Sequence, residues 1–314
     1  MLEIFKSSKN GELNEVKEIE NNCWINMIAP TYEEIEHVAL NLDLDVDFIR
    51  APLDEEERSR IEIDGETRHG VIIIDTPVEE TGMETKIIET YPLGIIHTDK
   101  CIITVSLKEN PILNRFARGG VKTFITFKKT RFILQILYNN TTLYLHYLKH
   151  INKLSTRIED ELQKTMRNAE LMRLLDLEKS LVYINTSLKS NELVFEKLIR
   201  VEFIDRFEED KELIEDIIIE NKQAIEMATI YASILSETRD AFSSVISNNA
   251  NNIMKLLAFI TLIMSIPTVV SGFFGMNVII PNAFSGDDAF LHIFIMTCII
   301  CVIVTIVMMI KKLL

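Results

Sequence analysis

Glycine and proline, the strongest helix breakers, punctuate the first 120 residues of this chain and then nearly vanish: between Gly120 and Gly272 no glycine occurs, and the only proline is Pro267. That change in usage predicts a mixed α/β region followed by a long all-helical one. Cysteine is scarce too, and four scattered residues exclude a disulfide framework. Positive charge is in short supply, with 33 Lys and Arg against 47 Asp and Glu and a formal net charge of -14. A nucleic-acid partner needs clustered cations to displace its counterions, so none is expected, and cations are the natural partners. The opening residues, MLEIFKSSKN, lack the apolar core of a signal peptide. No Walker loop, G-x-S-x-G elbow or kinase signature occurs, and no catalytic constellation is visible, so the expectation is a protein that is not an enzyme.

Long apolar runs, by contrast, are present, and they close the chain. The charge-free run 256–274 is long enough to cross a bilayer as a helix, and a second, 289–310, follows almost at once. The loop between them, 275–288, is short, so the two form a tight hairpin whose turn opens with Gly275, Met276 and Asn277. A chain that is 25% charged cannot be wholly embedded in lipid, so a large soluble part precedes the hairpin. Lys255 precedes the first span, Lys311 and Lys312 follow the second, and the loop has no basic residue. The positive-inside rule then puts the soluble part and both termini in the cytoplasm and the loop outside, in a multi-pass protein of the cell membrane. The first span is expected to act as the internal insertion signal. Cys298 and Cys301 form a C-x-x-C pair, but a thiolate site there would need charge in hydrocarbon and two further ligands, so they read as small packing residues.

The expected organisation is a cytoplasmic α/β domain over 1–125, a cytoplasmic helical region over 126–252, and a two-helix membrane region over 253–314 with spans at about 253–274 and 289–310. Strands are expected at 24–28, 60–64, 71–75, 86–91, 94–97 and 102–106, where β-branched residues cluster between turn residues. Thr31 and Glu34 have capping-box spacing and open a helix through about Leu42. Beyond Thr130 the pattern is helical, with Asn152, Asp176 or 186–191 as candidate turns. Leu213, Ile217, Ala224, Ala228, Tyr231 and Leu235 then recur at threes and fours, apart from a wider gap between Ile217 and Ala224. This amphipathic helix meets no breaker before the first span, so it is expected to run for roughly sixty residues, about 90 Å. Asp43, Asp45 and Asp47 copy the start of a calcium loop, but Phe48 stands where that loop needs glycine, and a solvated turn is expected. His146 and His150 share a helix face without the glutamate of a zinc protease motif and read as structural.

Counting along the first span by alternate fours and threes gives Ser247, Asn251, Met254, Ala258, Thr261, Ser265, Thr268 and Gly272, a small and mildly polar stripe on an otherwise greasy helix. Small residues at this spacing let membrane helices approach closely, which is one reading. The other is a narrow aqueous pore, which two spans can enclose only as an oligomer.

Gly275-Met276-Asn277 after a first span, a short loop, a second span and a terminal lysine pair resemble the CorA family of divalent-cation channels, typified by magnesium transporters. The segment 215–255 resembles that family's stalk helix, and WINMIAPTYEEIE resembles its early cytoplasmic segment. The resemblance implies a homopentamer with an α/β cytoplasmic funnel, in which Asn251, Met254, Leu257, Thr261, Ser265, Thr268 and Gly272 line the pore and Asn277 forms its outer ring. Magnesium dehydrates reluctantly, so a ring of neutral oxygens suits an ion that keeps its first water shell. Met254 and Leu257 would form an apolar constriction, and Asn251 a polar ring. Mg²⁺ is expected as substrate, with Co²⁺ and Ni²⁺ as further cargo, and no cofactor is expected beyond Mg²⁺ as regulatory ligand. By the same resemblance Asp216 is the stalk carboxylate of a magnesium sensor between subunits, with Asp75, Glu79 and Glu80 as candidate partners. After the tripeptide this chain departs from the common loop: Val278-Ile279-Ile280-Pro281-Asn282 carries no glutamate, leaving Asp287 and Asp288 either to gather cations or to begin the second helix. A related branch carries zinc, so a zinc transporter is the alternative, and a membrane-anchored sensor without transport is the third.

Overall fold

Seven strands form one sheet in the order β2-β1-β3-β7-β6-β5-β4. They are β1 (Leu2–Ser7), β2 (Leu13–Glu15), β3 (Trp24–Ile28), β4 (Arg60–Ile63), β5 (Gly70–Glu79), β6 (Ile88–His97) and β7 (Ile102–Ser106). All neighbours are antiparallel except β3 and β7, which run parallel. The structure is a computed structural model and describes residues 1–8, 11–65, 69–79, 87–121, 123–165, 167–200, 208–276 and 288–311.

Helices cover both faces of the sheet, which is why its middle strands read as continuous apolar runs instead of alternating. On one face α1 (Tyr32–Leu42) and α2 (Val46–Arg50) pack over Ile25, Met27, Val71, Ile73, Ile103 and Val105. On the other, α3 (Pro111–Ala117), α4 (Lys129–Thr165), α5 (Asn168–Arg200) and the start of α6 (Glu208–Phe274) pack over Trp24, Ile72, Ile74, Leu93, Ile95 and Ile102. The single tryptophan lies at the heart of the second layer. Its indole N–H donates to Thr104 Oγ1 at 2.8 Å, its ring stacks on Phe5 at 5.0 Å, and Phe124 and Phe132 meet it edge-on.

Local signals near the start of the chain match the structure. Thr31 and Glu34 make both bonds of the capping box of α1. Asp43 ends α1 in the left-handed conformation, and Asp45 caps α2 by accepting from Asp47 N–H at 3.0 Å. The calcium-like run is therefore a pair of helix caps in an exposed turn.

Two expectations are corrected. The strands expected at 86–91 and 94–97 are one: β6 runs from Ile88 through Pro92, which stands opposite Asp75 of β5, while Lys86 lies outside the described residues. No proline N–H is needed there, because the Asp75 backbone N–H donates to Asn191 Oδ1 and its carbonyl accepts from Asn140, Tyr144 and Asn191, all at 2.9 to 3.0 Å. Likewise α4 runs through Asn152, and α5 through Asp176 and 186–191. Within 186–191 the polar side chains that looked like turn formers bond back to the preceding turn, as Thr186 does to Val182 O, or reach across to the sheet, as Asn191 does; at Asn152 the carbonyl accepts from Thr156 Oγ1 one turn on.

In α6 the wider gap between Ile217 and Ala224 is filled by Asn221, which is buried and donates to Leu188 O at 3.1 Å. The chain divides into two compact units, Met1–Arg239 and Asp240–Leu314. In the second unit the end of α6 is followed by α7 (Ala289–Ile310), and both helices are long and apolar enough to cross a membrane.

Candidate ion pathway on α6

Within the second unit, the residues of α6 that α7 covers in part are Phe259, Ile263, Ile266, Val270 and Phe274. They recur at fours and threes and make one seam. On α7 the matching covered positions include Ile293, Thr297, Cys301, Val304 and Met308. At 100° per residue the polar stripe of α6 lies about half a turn from this seam. Asn251, Met254, Ala258, Thr261, Ser265, Thr268 and Gly272 are all exposed. The stripe is thus not the face on which the hairpin packs.

Shallow open furrows between side chains mark the stripe. One open groove runs along Met254, Leu257, Ala258, Thr261 and Ser265, and a second, sharing Met254 and Ala258, is lined by Asn248, Asn251 and Asn252. Leu257 lies beside Met254 in the first. The hydroxyls are satisfied by their own helix: Thr261 donates to Leu257 O at 2.8 Å, Ser265 to Leu262 O at 2.7 Å and Thr268 to Met264 O at 3.1 Å. This back-bonding lets hydroxyls lie in an apolar helix while their oxygen lone pairs still face outward as acceptors for water.

At the end of α6 helical bonding carries on past Phe274: Gly275 N–H donates to Ser271 O at 2.9 Å, and Met276 N–H makes a shorter-range bond to Phe273 O at 3.4 Å. A Cβ at Gly275 would stand 3.0 Å from Ser271 O, so this tightening favours glycine. Asn277 and Asp287 lie outside the described residues, as does Glu80. Asp288 is exposed and begins α7, its carbonyl accepting from His292 N–H at 3.1 Å.

The carboxylates assigned to a sensor occupy different settings. Asp216 is exposed on α6, and together with the nearer Glu220 it pushes the Tyr138 phenol upward. Glu79 ends β5, where its charge adds to burial in raising Tyr147. Asp75 is enclosed between sheet and helices; burial pushes its carboxyl up to about 6 against the opposing hydrogen bonds of Ser187 and Ser59. Among the described residues no three His, Cys, Asp or Glu side chains gather as metal ligands. Sequence reasoning passed over the polar nest around Asp75 and the side-by-side placement of Cys23 and Cys101, because both depend on strand order.

An α/β sheet unit and a long helix that continues into an apolar hairpin define an α-helical membrane protein. The chain belongs to the CorA family: the family model described as CorA-like Mg2+ transporter protein matches residues 20–312. This is a family of transporters, not of enzymes. A curated relative, the cobalt/magnesium transport protein CorA of Methanocaldococcus jannaschii, is 27% identical over 292 residues, covering 88% of each chain. The complete structure of the CorA magnesium transporter from that organism superposes with a TM-score of 0.80 at 24% identity, covering 98% of this chain and 96% of that one. The full-length CmaX protein gives 0.70 at 16% identity, with 99% and 96% covered. The ZntB cytoplasmic domain from Vibrio parahaemolyticus gives 0.59 at 11%, with 80% and 98% covered.

Proposed function

We propose that this chain is a passive, potential-driven channel for divalent cations, magnesium foremost, with cobalt and nickel as further cargo. The observation that carries the reading is the uncovered α6 stripe, opposite the α7 seam, in a member of the CorA family. The curated relative transports cobalt and magnesium by its name, which supports the same cargo here. Five copies placing the stripe inward would enclose a pore with α7 on the lipid side, in a homopentamer of the cell membrane with both termini cytoplasmic. Asn277 then supplies the outer ring of neutral oxygens, with Gly275 and Met276 holding its backbone, and Met254 and Leu257 supply the apolar constriction. Entry needs no pump, since a divalent ion gains roughly 4.6 kcal/mol per 100 mV of inside-negative potential. Asp287 and Asp288 in the external loop raise the local cation concentration.

Cytoplasmic Mg²⁺ closes this channel in the proposal, bridging the exposed Asp216 of one subunit to a β5 carboxylate of its neighbour. Glu79 suits that role better than Asp75, whose carboxyl is pushed up to about 6 by burial, and Glu80, outside the described residues, remains the third candidate.

The test is ion-resolved flux into liposomes under an inside-negative potential. Wild type takes up magnesium, Asn277→Ala abolishes uptake, and Asp216→Ala removes inhibition by internal magnesium. No uptake by wild type, or unchanged uptake in Asn277→Ala, overturns the channel reading. Preference for zinc in competition, altered by a pH gradient, would move the protein to the zinc-carrying reading.

A further inference from the structure

Cys23 and Cys101 lie far apart in sequence, yet the parallel register of β3 and β7, in which Trp24 pairs with Ile102, makes them lateral neighbours one residue earlier. The ladder continues to them: Ile102 N–H donates to Cys23 O at 3.3 Å, and Asn22 N–H to Lys100 O at 2.6 Å. Both are free thiols and both are fully buried. This pairing belongs to the one parallel contact in the sheet, between its two antiparallel halves. The apolar packing of α1 and α2 includes both sulfurs but does not require them to be thiols.

We propose that Cys23 and Cys101 are a redox pair: a peroxide that reaches Cys23 closes the two into a disulfide that staples β3 to β7. Lateral neighbours in a sheet fall within the Cα separations that a disulfide spans. Access comes through the turn before β3, where Glu20, Asn21 and Asn22 are exposed and Asn22 holds a left-handed φ of 65°, so local opening of a few residues presents Cys23. The thiols differ in role. Cys23 adjoins the exposed turn, so it is the sulfur that peroxide meets first, and its contact with Cys101 holds its thiol below the ordinary value, with a small contribution from the charge of Lys6. The same contact, together with burial, pushes Cys101 up, against the hydrogen bond of Thr98 and the charge of Lys129. Cys101 is therefore the resolving thiol.

The chemistry balances in two steps. The Cys23 thiolate attacks one oxygen of hydrogen peroxide; an S–O bond forms, the O–O bond breaks, and hydroxide leaves and is protonated to water. The Cys101 sulfur then attacks the Cys23 sulfenic acid; an S–S bond forms, the S–O bond breaks, and the departing hydroxide takes the Cys101 proton as water. One peroxide is reduced to two waters as two thiols are oxidised, and a small dithiol reverses the change.

The test uses the full chain in detergent, with Cys298→Ser and Cys301→Ser to silence the membrane thiols. After brief hydrogen peroxide treatment, acid denaturation and alkylation, the expected result is a loss of two mass units, no alkylation, and a Cys23–Cys101 cross-linked peptide that dithiothreitol removes. Adding Cys101→Ser should leave a sulfenic acid at residue 23 that dimedone traps, and adding Cys23→Ser should leave Cys101 fully alkylated. The oxidised form should melt about 10 °C higher, because the staple closes a long loop of the unfolded chain. Full alkylation of both thiols after treatment, oxidation to sulfinic acid without the cross-link, or cross-links only between chains would each overturn the proposal.

Discussion

Cys301 of α7 places its sulfur 4.0 Å from the carbonyl oxygen of Ile263 in α6. That carbonyl is the one whose helical partner would be the N–H of residue 267, and residue 267 is the proline inside α6. A backbone acceptor orphaned in an apolar helix needs another donor, and the second span supplies a thiol. The C-x-x-C pair, read from the sequence as packing, thus includes one residue with a specific partner, while Cys298 is exposed.

The first prediction follows from that contact. Cys301→Val should destabilise the detergent-solubilised protein by about 0.6 kcal/mol, the usual size of an interhelical polar contact in a membrane. Cys301→Ser should be close to neutral because a donor is kept. In a Pro267→Ala background, where the backbone bond to Ile263 O is restored, Cys301→Val should lose its cost. Thermal unfolding of the four proteins closes the cycle.

Accessibility to aqueous reagents should divide the two faces of α6. With the native membrane cysteines replaced by serine, single cysteines at Ala258, Thr261, Ser265 and Thr268 should react with a charged thiol reagent applied to protein in liposomes. Cysteines at Ile263, Ile266 and Val270, on the seam toward α7, should not. Equal protection of both sets would mean that the stripe is a dry packing face.

Asp75 should impose a pH dependence on stability. Its carboxyl titrates at about 6 in the folded protein against an ordinary value of 3.8, so the folded state binds its proton more tightly than the unfolded state. Stability should therefore fall as pH rises from about 4 to 6, and stay reduced above that. Asp75→Asn removes the ionisation and should gain up to about 3 kcal/mol relative to wild type at pH 7, with the gain disappearing near pH 4. Unfolding followed across this range, wild type against variant, measures it. Asn191→Ala tests the same nest from the α5 side. It strips both polar atoms from the Asp75 backbone and should cost about 2 kcal/mol at any pH.

Gly94 should tolerate no side chain. A Cβ there would stand 2.2 Å from Pro52 Cγ, in the 3-10 turn Ala51–Leu53 that follows α2. Since the pyrrolidine ring cannot rotate away, Gly94→Ala should cost about 2–3 kcal/mol. Pro52→Gly, which removes both that Cγ and the Pro52 Cβ that would stand 2.9 Å away, should relieve the clash, as chemical denaturation of the double variant would show.

Local signals were legible wherever a few neighbouring residues decide the outcome. Thr31 with Glu34 announces a cap, and the breaker-free stretch leading to Pro267 announces a long helix, because capping and propensity act within one or two turns. The stripe from Asn251 to Gly272 was legible for the same reason, since 3.6-residue periodicity is written in the order of side chains. Whether the stripe was a packing face of the hairpin was not legible. That depends on which side of α6 the second helix covers, and both sides are apolar enough to be chosen.

What the sequence determined by itself is the change from an α/β part to a breaker-free helical part, the two spans and the residues that share a face of α6, all consequences of chain-local geometry. Only the tertiary structure decided that β6 passes through Pro92, that Asn221 fills the gap in the α6 face, that Cys23 meets Cys101, and that Cys301 serves the carbonyl freed by Pro267. Each of these joins groups remote in the chain. The need for a partner is visible in the residue type, but the identity of that partner is set by sheet order and helix packing, which no local pattern encodes.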